Sequence, residues 1–206
     1  NMFGQTIIMI LIEIGGLGFM SFTTLIAIIL GKKITLRERL ILQDAMNTFN
    51  IQGLVKMVKY VLVFTVSVQF FGALLLSTQF IPEFGFGKGA FYSLFHSISA
   101  FCNAGFDVLG KGNSLISFNT NVVVIMVLSI LIIIGGLGFT VWSELYTCKS
   151  IRRVSIHSKM VLLITTGLVV GGTLLMFLFE HNNPQTISKM SFINKLTNSF
   201  FASVTP

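Results

Sequence analysis

Cys102-Asn-Ala-Gly-Phe106 is the stretch whose residue types could do chemistry, and it would do so through its backbone. Its residues are small; Gly105 has no side chain to obstruct a narrow path and can adopt φ > 0, aiming its carbonyl as other residues resist. Carbonyls lining such a path can replace the water shell of a cation. The segment before it, Phe91 to Phe101, is apolar, charge-free and only 11 residues long. As a helix it would rise roughly 16 Å, about half of a hydrocarbon core of about 30 Å, and so could not cross a bilayer. Its C-terminal end would aim a partial negative charge at the small residues, which favours a cation there. A half-length helix followed by a small-residue strand reads as a re-entrant loop, because unpaired backbone is tolerated at that depth only against protein or water. An ordinary turn outside the membrane is the other reading of the same residues.

The elements that must position this loop are legible from composition. Hydrophobic residues make up 53% and charged residues 10% of the 206, against about a quarter charged in ordinary soluble domains. The mean hydropathy is +0.87. Thr6 to Leu30 carries one charge, Glu13, while Tyr60 to Ile81, Val122 to Trp142 and Met160 to Phe179 carry none. Each has 20 or more residues and is long enough to span a membrane as a helix. Cys102 and Cys148 lie in different segments and form no metal or redox spacing. The chain opens on Asn1 and carries no signal peptide, and we read it as a segment of a longer protein.

A net charge of +7 raises nucleic acid as a partner, but its placement argues against that class. Lys32, Lys33, Arg37, Arg39, Lys56 and Lys59 lie between the first two spans, and Lys149, Arg152, Arg153 and Lys159 between the last two. The other side holds only Lys88, Lys111, Lys189 and Lys195. The positive-inside rule then puts both basic loops in the cytoplasm and residues 80–121 outside. Those loops could meet anionic lipid headgroups or dock a cytoplasmic partner.

The chain also repeats itself. Ile14-Gly-Gly-Leu-Gly-Phe19 recurs as Ile134-Gly-Gly-Leu-Gly-Phe139, Lys56-Met57 as Lys159-Met160, and Pro82 as Pro184. Lys195 to Val204 resembles the Phe-rich segment about 105 residues earlier. One unit reads as span, short link opened by Pro, half-helix, strand, span. An even number of crossings keeps successive units in one orientation, so they are parallel repeats able to surround a pore, unlike inverted transporter repeats. The expected fold is therefore an all-α polytopic membrane protein of parallel helix–pore-loop–helix repeats around a central pore. Residues 1–31 are the closing span of one unit; 32–56 a cytoplasmic basic loop; 57–142 a complete unit; 143–158 a second basic loop; and 159–206 the opening span and half-helix of the next. Thr35-Leu-Arg-Glu38 has capping-box spacing and predicts a short amphipathic helix under the membrane, through Leu36, Leu40 and Ala45 or Met46.

Other residues offer little chemistry. His96, His157 and His181 are scattered, with no acid at metal-ligand spacing, and hydrolase, metalloprotease and phosphate-loop motifs are missing. Gly15, Gly16 and Gly18, like Gly135, Gly136 and Gly138, fall inside apolar spans and predict close helix packing. Glu13 is costly in hydrocarbon and should face protein or water, as a packing or snorkelling residue. Asp107 is either a cation-attracting charge at the mouth or a solvated loop acid. Phe91, Phe95 and Ile98 are packing residues of the half-helix.

Phe95-His-Ser-Ile-Ser-Ala-Phe-Cys-Asn-Ala-Gly-Phe106, the paired Gly-Gly-Leu-Gly-Phe motifs and Ser203-Val-Thr-Pro206 together resemble one family over the whole chain. It is the membrane subunit of the Ktr/Trk/HKT superfamily of potassium transporters, closest to the bacterial Ktr type. The resemblance implies four helix–pore–helix units in one polypeptide of the cell membrane, each with a filter strand and a key glycine, here Gly105. K+ would be held at the backbone of Asn103, Ala104 and Gly105, in a filter that starts at Cys102. It also implies a homodimer seated on a cytoplasmic RCK-type nucleotide-binding ring. The nucleotide would sit on that partner, with Lys32, Lys33, Arg37, Arg39, Arg152 and Arg153 as the docking candidates, and no covalent cofactor on this chain. The expected activity is passive K+ uptake rather than enzyme catalysis; an alternating-access symporter and a structural membrane module are the rival readings.

Overall fold

A computed structural model describes residues 2–18, 54–109, 114–147 and 154–206. The expected amphipathic helix and basic-loop residues Lys32, Lys33, Arg37, Arg39, Arg152 and Arg153 lie outside these. Helix α1 (Met2–Leu17) ends where Gly18 turns left-handed at φ 78°. Helix α2 (Leu54–Phe84) is followed after one residue, Gly85, by α3 (Phe86–Phe101). A 3-10 turn at Ser114–Phe118 leads to α4 (Val122–Gly136), then α5 (Phe139–Thr147), α6 (Ile156–Glu180) and α7 (Phe192–Val204). No strand occurs among the described residues. Residues 59–84 of α2 and all of α6 are long and apolar enough to cross a membrane, and α4 with α5 makes a third if the bent pair is one span.

The first span, expected over Thr6–Leu30, is a helix that ends at Leu17, and the rest of that stretch after Gly18 lies outside the described residues; within residues 57–142 three more boundaries differ from the sequence expectation. The half-helix begins at Phe86, not Phe91, and takes in Lys88, so it runs 16 residues, or about 24 Å. Pro82 does not open the link: α2 continues through it in its last turn and stops at Phe84. Gly85 then makes the turn at φ 79°, a conformation that favours glycine. Pro184, its counterpart in the repeat, lies in the longer link after α6 has ended. The third difference is the span from Val122 to Trp142, which breaks between Gly136 and Phe139 and bends by 91°. Gly138 takes φ 85° at the break. A continuous helix would give the Ile134 carbonyl the amide four residues on; here the Trp142 indole N–H donates to it at 2.8 Å. The paired glycine motif therefore acts as a helix stop at Gly18 and Gly138, beyond the packing role read from sequence.

α3 sits at the centre, packed on α1, α2 and α4, and α4 also packs on α7. Leu76 and Phe80 of α2, Phe118, and Val124, Leu128 and Leu131 of α4 form the main buried cluster. Ile12, Phe95, Ile98 and Val108 form a second one on the other side of α3. Caps fix the starts of the later helices: the Asn121 side chain accepts from the amides of Val123 and Val124, Ser155 from Ser158, and Ser191 from Asn194.

The two helix pairs α2–α3 and α6–α7 dock by one device. Ser97 of α3 donates to the Gln69 carbonyl at 2.7 Å, and Ser203 of α7 to the Val169 carbonyl at 3.0 Å. Three residues further along each long helix stands a glycine, Gly72 or Gly172, where a Cβ would collide with that serine hydroxyl. The short helices can thus approach closely enough for the bond because those positions lack side chains.

Candidate ion-conduction site

α3 ends in a Schellman turn. The Ala104 amide donates to the Ser99 carbonyl at 2.8 Å and the Asn103 amide to the Ala100 carbonyl at 3.0 Å, the two closures of that motif. Asn103 occupies its left-handed position at φ 50°, and Gly105 turns left-handed again at φ 68°, with Ala104 between them at negative φ. In a strand of uniform sign, successive residues face opposite sides; alternating sign allows neighbouring carbonyls to share one. Residues 102–106 were expected as a strand, and they are instead an irregular limb whose bonds run back to α3. Ser99 Oγ donates to the Phe106 carbonyl at 3.0 Å, and His96 Nε2 lies 3.1 Å from Asp107 Oδ1.

A cavity of about 130 Å³ opens beside this limb, lined by Asn103, Gly105 and Asp107 and also by Ile132, Phe201 and Thr205. The second short helix therefore shares a space with the end of the first. A Cβ built on Gly105 would meet nothing within 4 Å. Asp107 reaches this cavity with its carboxylate bound: Oδ1 accepts the Leu109 amide at 2.9 Å besides facing His96.

The limb is braced from behind by α1 and α4. A Cβ at Gly16 would collide with the Cys102 side chain, and one at Gly135 with the Phe101 carbonyl. Gly15 and Gly136, their neighbours in the same motifs, face open space. Glu13 faces protein, as its cost in hydrocarbon requires: its Oε2 accepts from Gln69 Nε2 at 2.7 Å and lies 3.8 Å from Cys102 Sγ.

Residues 1–203 match the model of the TrkH family, described as cation transport protein. The chain belongs to this family. It is 48% identical over its full length to the potassium/sodium uptake protein NtpJ of Enterococcus hirae, and covers 45% of that protein. It is 42% identical over its full length to the Ktr system potassium uptake protein B of Bacillus subtilis, covering 46% of it. The protein of the same name from Vibrio alginolyticus is 35% identical over 202 residues, of which this chain covers 44%. The chain thus spans about half the length of the curated relatives it matches. Membership of the family, with helices of spanning length, makes this a multi-pass membrane chain, and its relatives are named as uptake proteins rather than enzymes.

Within this TrkH-family chain, Cys102, Asn103, Ala104, Gly105 and Asp107 are contiguous along one limb, as their order dictates. What sequence reasoning missed are the residues that hold the limb. Gln69 carried a signal, a large polar side chain near the middle of a charge-free span, and so did the serines of both short helices. The pairing of His96 with Asp107 carried none, since 11 residues and a helix end separate them. Among the described residues no three His, Cys, Asp or Glu gather as a metal site.

Proposed function

We propose that this chain is part of the ion-translocating subunit of a potassium uptake protein, and that K+ passes along the backbone carbonyls of Asn103, Ala104 and Gly105. The observation that carries this reading is Gly105 itself. It is left-handed at φ 68° and open on its Cβ side, beside a cavity that Phe201 and Thr205 of the second short helix also line. Carbonyls at such a place substitute for hydration water, and the C-terminal ends of both short helices, which reach the same cavity, contribute partial negative charge. The relatives named for potassium uptake support K+ as the ion.

The shared serine–glycine docking of the two helix pairs supports parallel helix–pore-loop–helix repeats around a central pore, with residues 57–142 as one unit and 159–206 as the start of the next. Full-length protein in liposomes should take up K+ down its gradient in preference to Na+. Vesicles that stay tight to both ions would leave a structural module in its place, and K+ movement strictly dependent on a second ion would leave a symporter.

The family resemblance, and relatives named as Ktr system proteins, support a homodimer with a cytoplasmic RCK-type nucleotide-binding ring, docked at the basic loops. Reversing Arg37 and Arg39 to Glu should weaken co-purification of the ring in a salt-sensitive way and leave the membrane subunit folded. Unchanged binding would assign those charges to lipid headgroups.

A further inference from the structure

His96 stands one turn before the end of α3, and is only 3% exposed. Both of its ring nitrogens face acceptors. Nδ1 is 2.8 Å from the Tyr92 carbonyl, which can only accept, and Nε2 is 3.1 Å from Asp107 Oδ1. That oxygen already accepts the Leu109 amide at 2.9 Å, so it too is an acceptor. Both ring nitrogens are thus engaged, one by the backbone of α3 and one by the carboxylate beyond Gly105. The rings of Phe80 and Phe95 lie 5.5 and 5.9 Å from the imidazole and help bury it, while Asp107 stays partly exposed at the cavity.

The position of this bond gives it a role. Asp107 is two residues beyond Gly105, and His96 is on the helix that leads into it, so the bond closes a loop around Asn103, Ala104 and Gly105. Both partners also line the cavity that Gly105 faces. We propose that His96 and Asp107 are positioning residues for the ion path: the ring, held at both nitrogens, straps the limb beyond Gly105 to α3 and so sets where the Gly105 carbonyl points. This rests on the filter reading above. Asp107 then acts through His96, as a held anchor rather than a free charge that concentrates cations at the mouth.

The test has two arms, both in the full-length protein. Nitrogen-15 NMR of histidine-labelled protein, with the His96 resonance identified by its loss in His96→Gln, should show the His96 ring signals shifted between wild type and Asp107→Asn; ring signals identical in the two overturn the strap. In the second arm, Asp107→Asn keeps the shape and an acceptor but removes the charge. It should leave membrane abundance unchanged and narrow the K+/Na+ uptake preference by about tenfold, the scale of one charged hydrogen bond. Asp107→Glu, which keeps the charge, should retain more of the preference than Asp107→Asn. Wild-type preference in Asp107→Asn, beside an altered preference in Gly105→Ser, would sink the strap and leave the filter standing. Wild-type preference in both would sink the filter reading, and with it the role given to the strap.

Discussion

Gly105→Ser in the full-length protein should reach the membrane in normal amount but transport K+ less selectively, less rapidly, or both. Steric collision is not the reason, because a Cβ at this position meets nothing within 4 Å. The reason is the backbone: φ is 68°, and a left-handed conformation costs a side-chain-bearing residue roughly 1–2 kcal/mol. The limb can relieve that strain only by rotating its peptide planes, which re-aims the carbonyls, or can keep it and place a hydroxyl in the cavity. K+ and Na+ differ in their cost of dehydration, so a change of about 1.4 kcal/mol in their relative binding alters preference about tenfold. Gly85 would be a poor control, although it lies in the link, since it too is left-handed at φ 79°. Gly87→Ser is the sound one: the residue is helical, exposed and open on its Cβ side. Uptake by Gly105→Ser with wild-type affinity, rate and K+/Na+ preference would remove the filter from this site.

Gly135→Ala is expected to abolish uptake and to lower thermal stability, although it adds a single methyl group. That methyl would overlap the Phe101 carbonyl, which is backbone at the end of α3 and cannot turn aside as a side chain would. α4 must withdraw or the end of α3 must move, and overpacking of this kind typically costs about 1–3 kcal/mol, sometimes more. Either movement displaces the limb that begins one residue later. Gly136→Ala should be nearly silent, since nothing lies within 4 Å of its Cβ, and a helical Gly→Ala change reduces the freedom of the unfolded chain. Measuring uptake and melting temperature for the two side by side is decisive, because they are adjacent, chemically identical changes. If Gly135→Ala matched Gly136→Ala in both, the close approach of α4 to Phe101 would be wrong.

The spans at Tyr60–Ile81 and Met160–Phe179 were readable from hydropathy, since lipid leaves a backbone no hydrogen-bond partner except its own helix. The short helix ending at Phe101 was readable too, from an apolar, charge-free run followed by small residues, and its C-terminal end fell where expected. Its start did not, because Phe86 to Ala90 looks like a link in composition and only the turn at Gly85 makes it the first turn of a helix.

The break at Gly138 was equally hidden. Whether Gly-Gly-Leu-Gly-Phe continues a helix or stops it depends on the indole of Trp142 reaching back to the Ile134 carbonyl. Likewise six motif glycines looked alike, yet Gly16 meets the limb and Gly135 the end of α3, while Gly15 and Gly136 meet nothing. Composition and periodicity record which medium each side chain prefers, and that alone determined a multi-pass helical chain with one short helix aimed at Gly105. Which glycine is buttressed, which carboxylate meets Gln69 and which histidine holds Asp107 depend on how the helices rotate against one another. That rotation is a sum of contacts between residues far apart in the chain, so only the tertiary structure decided it.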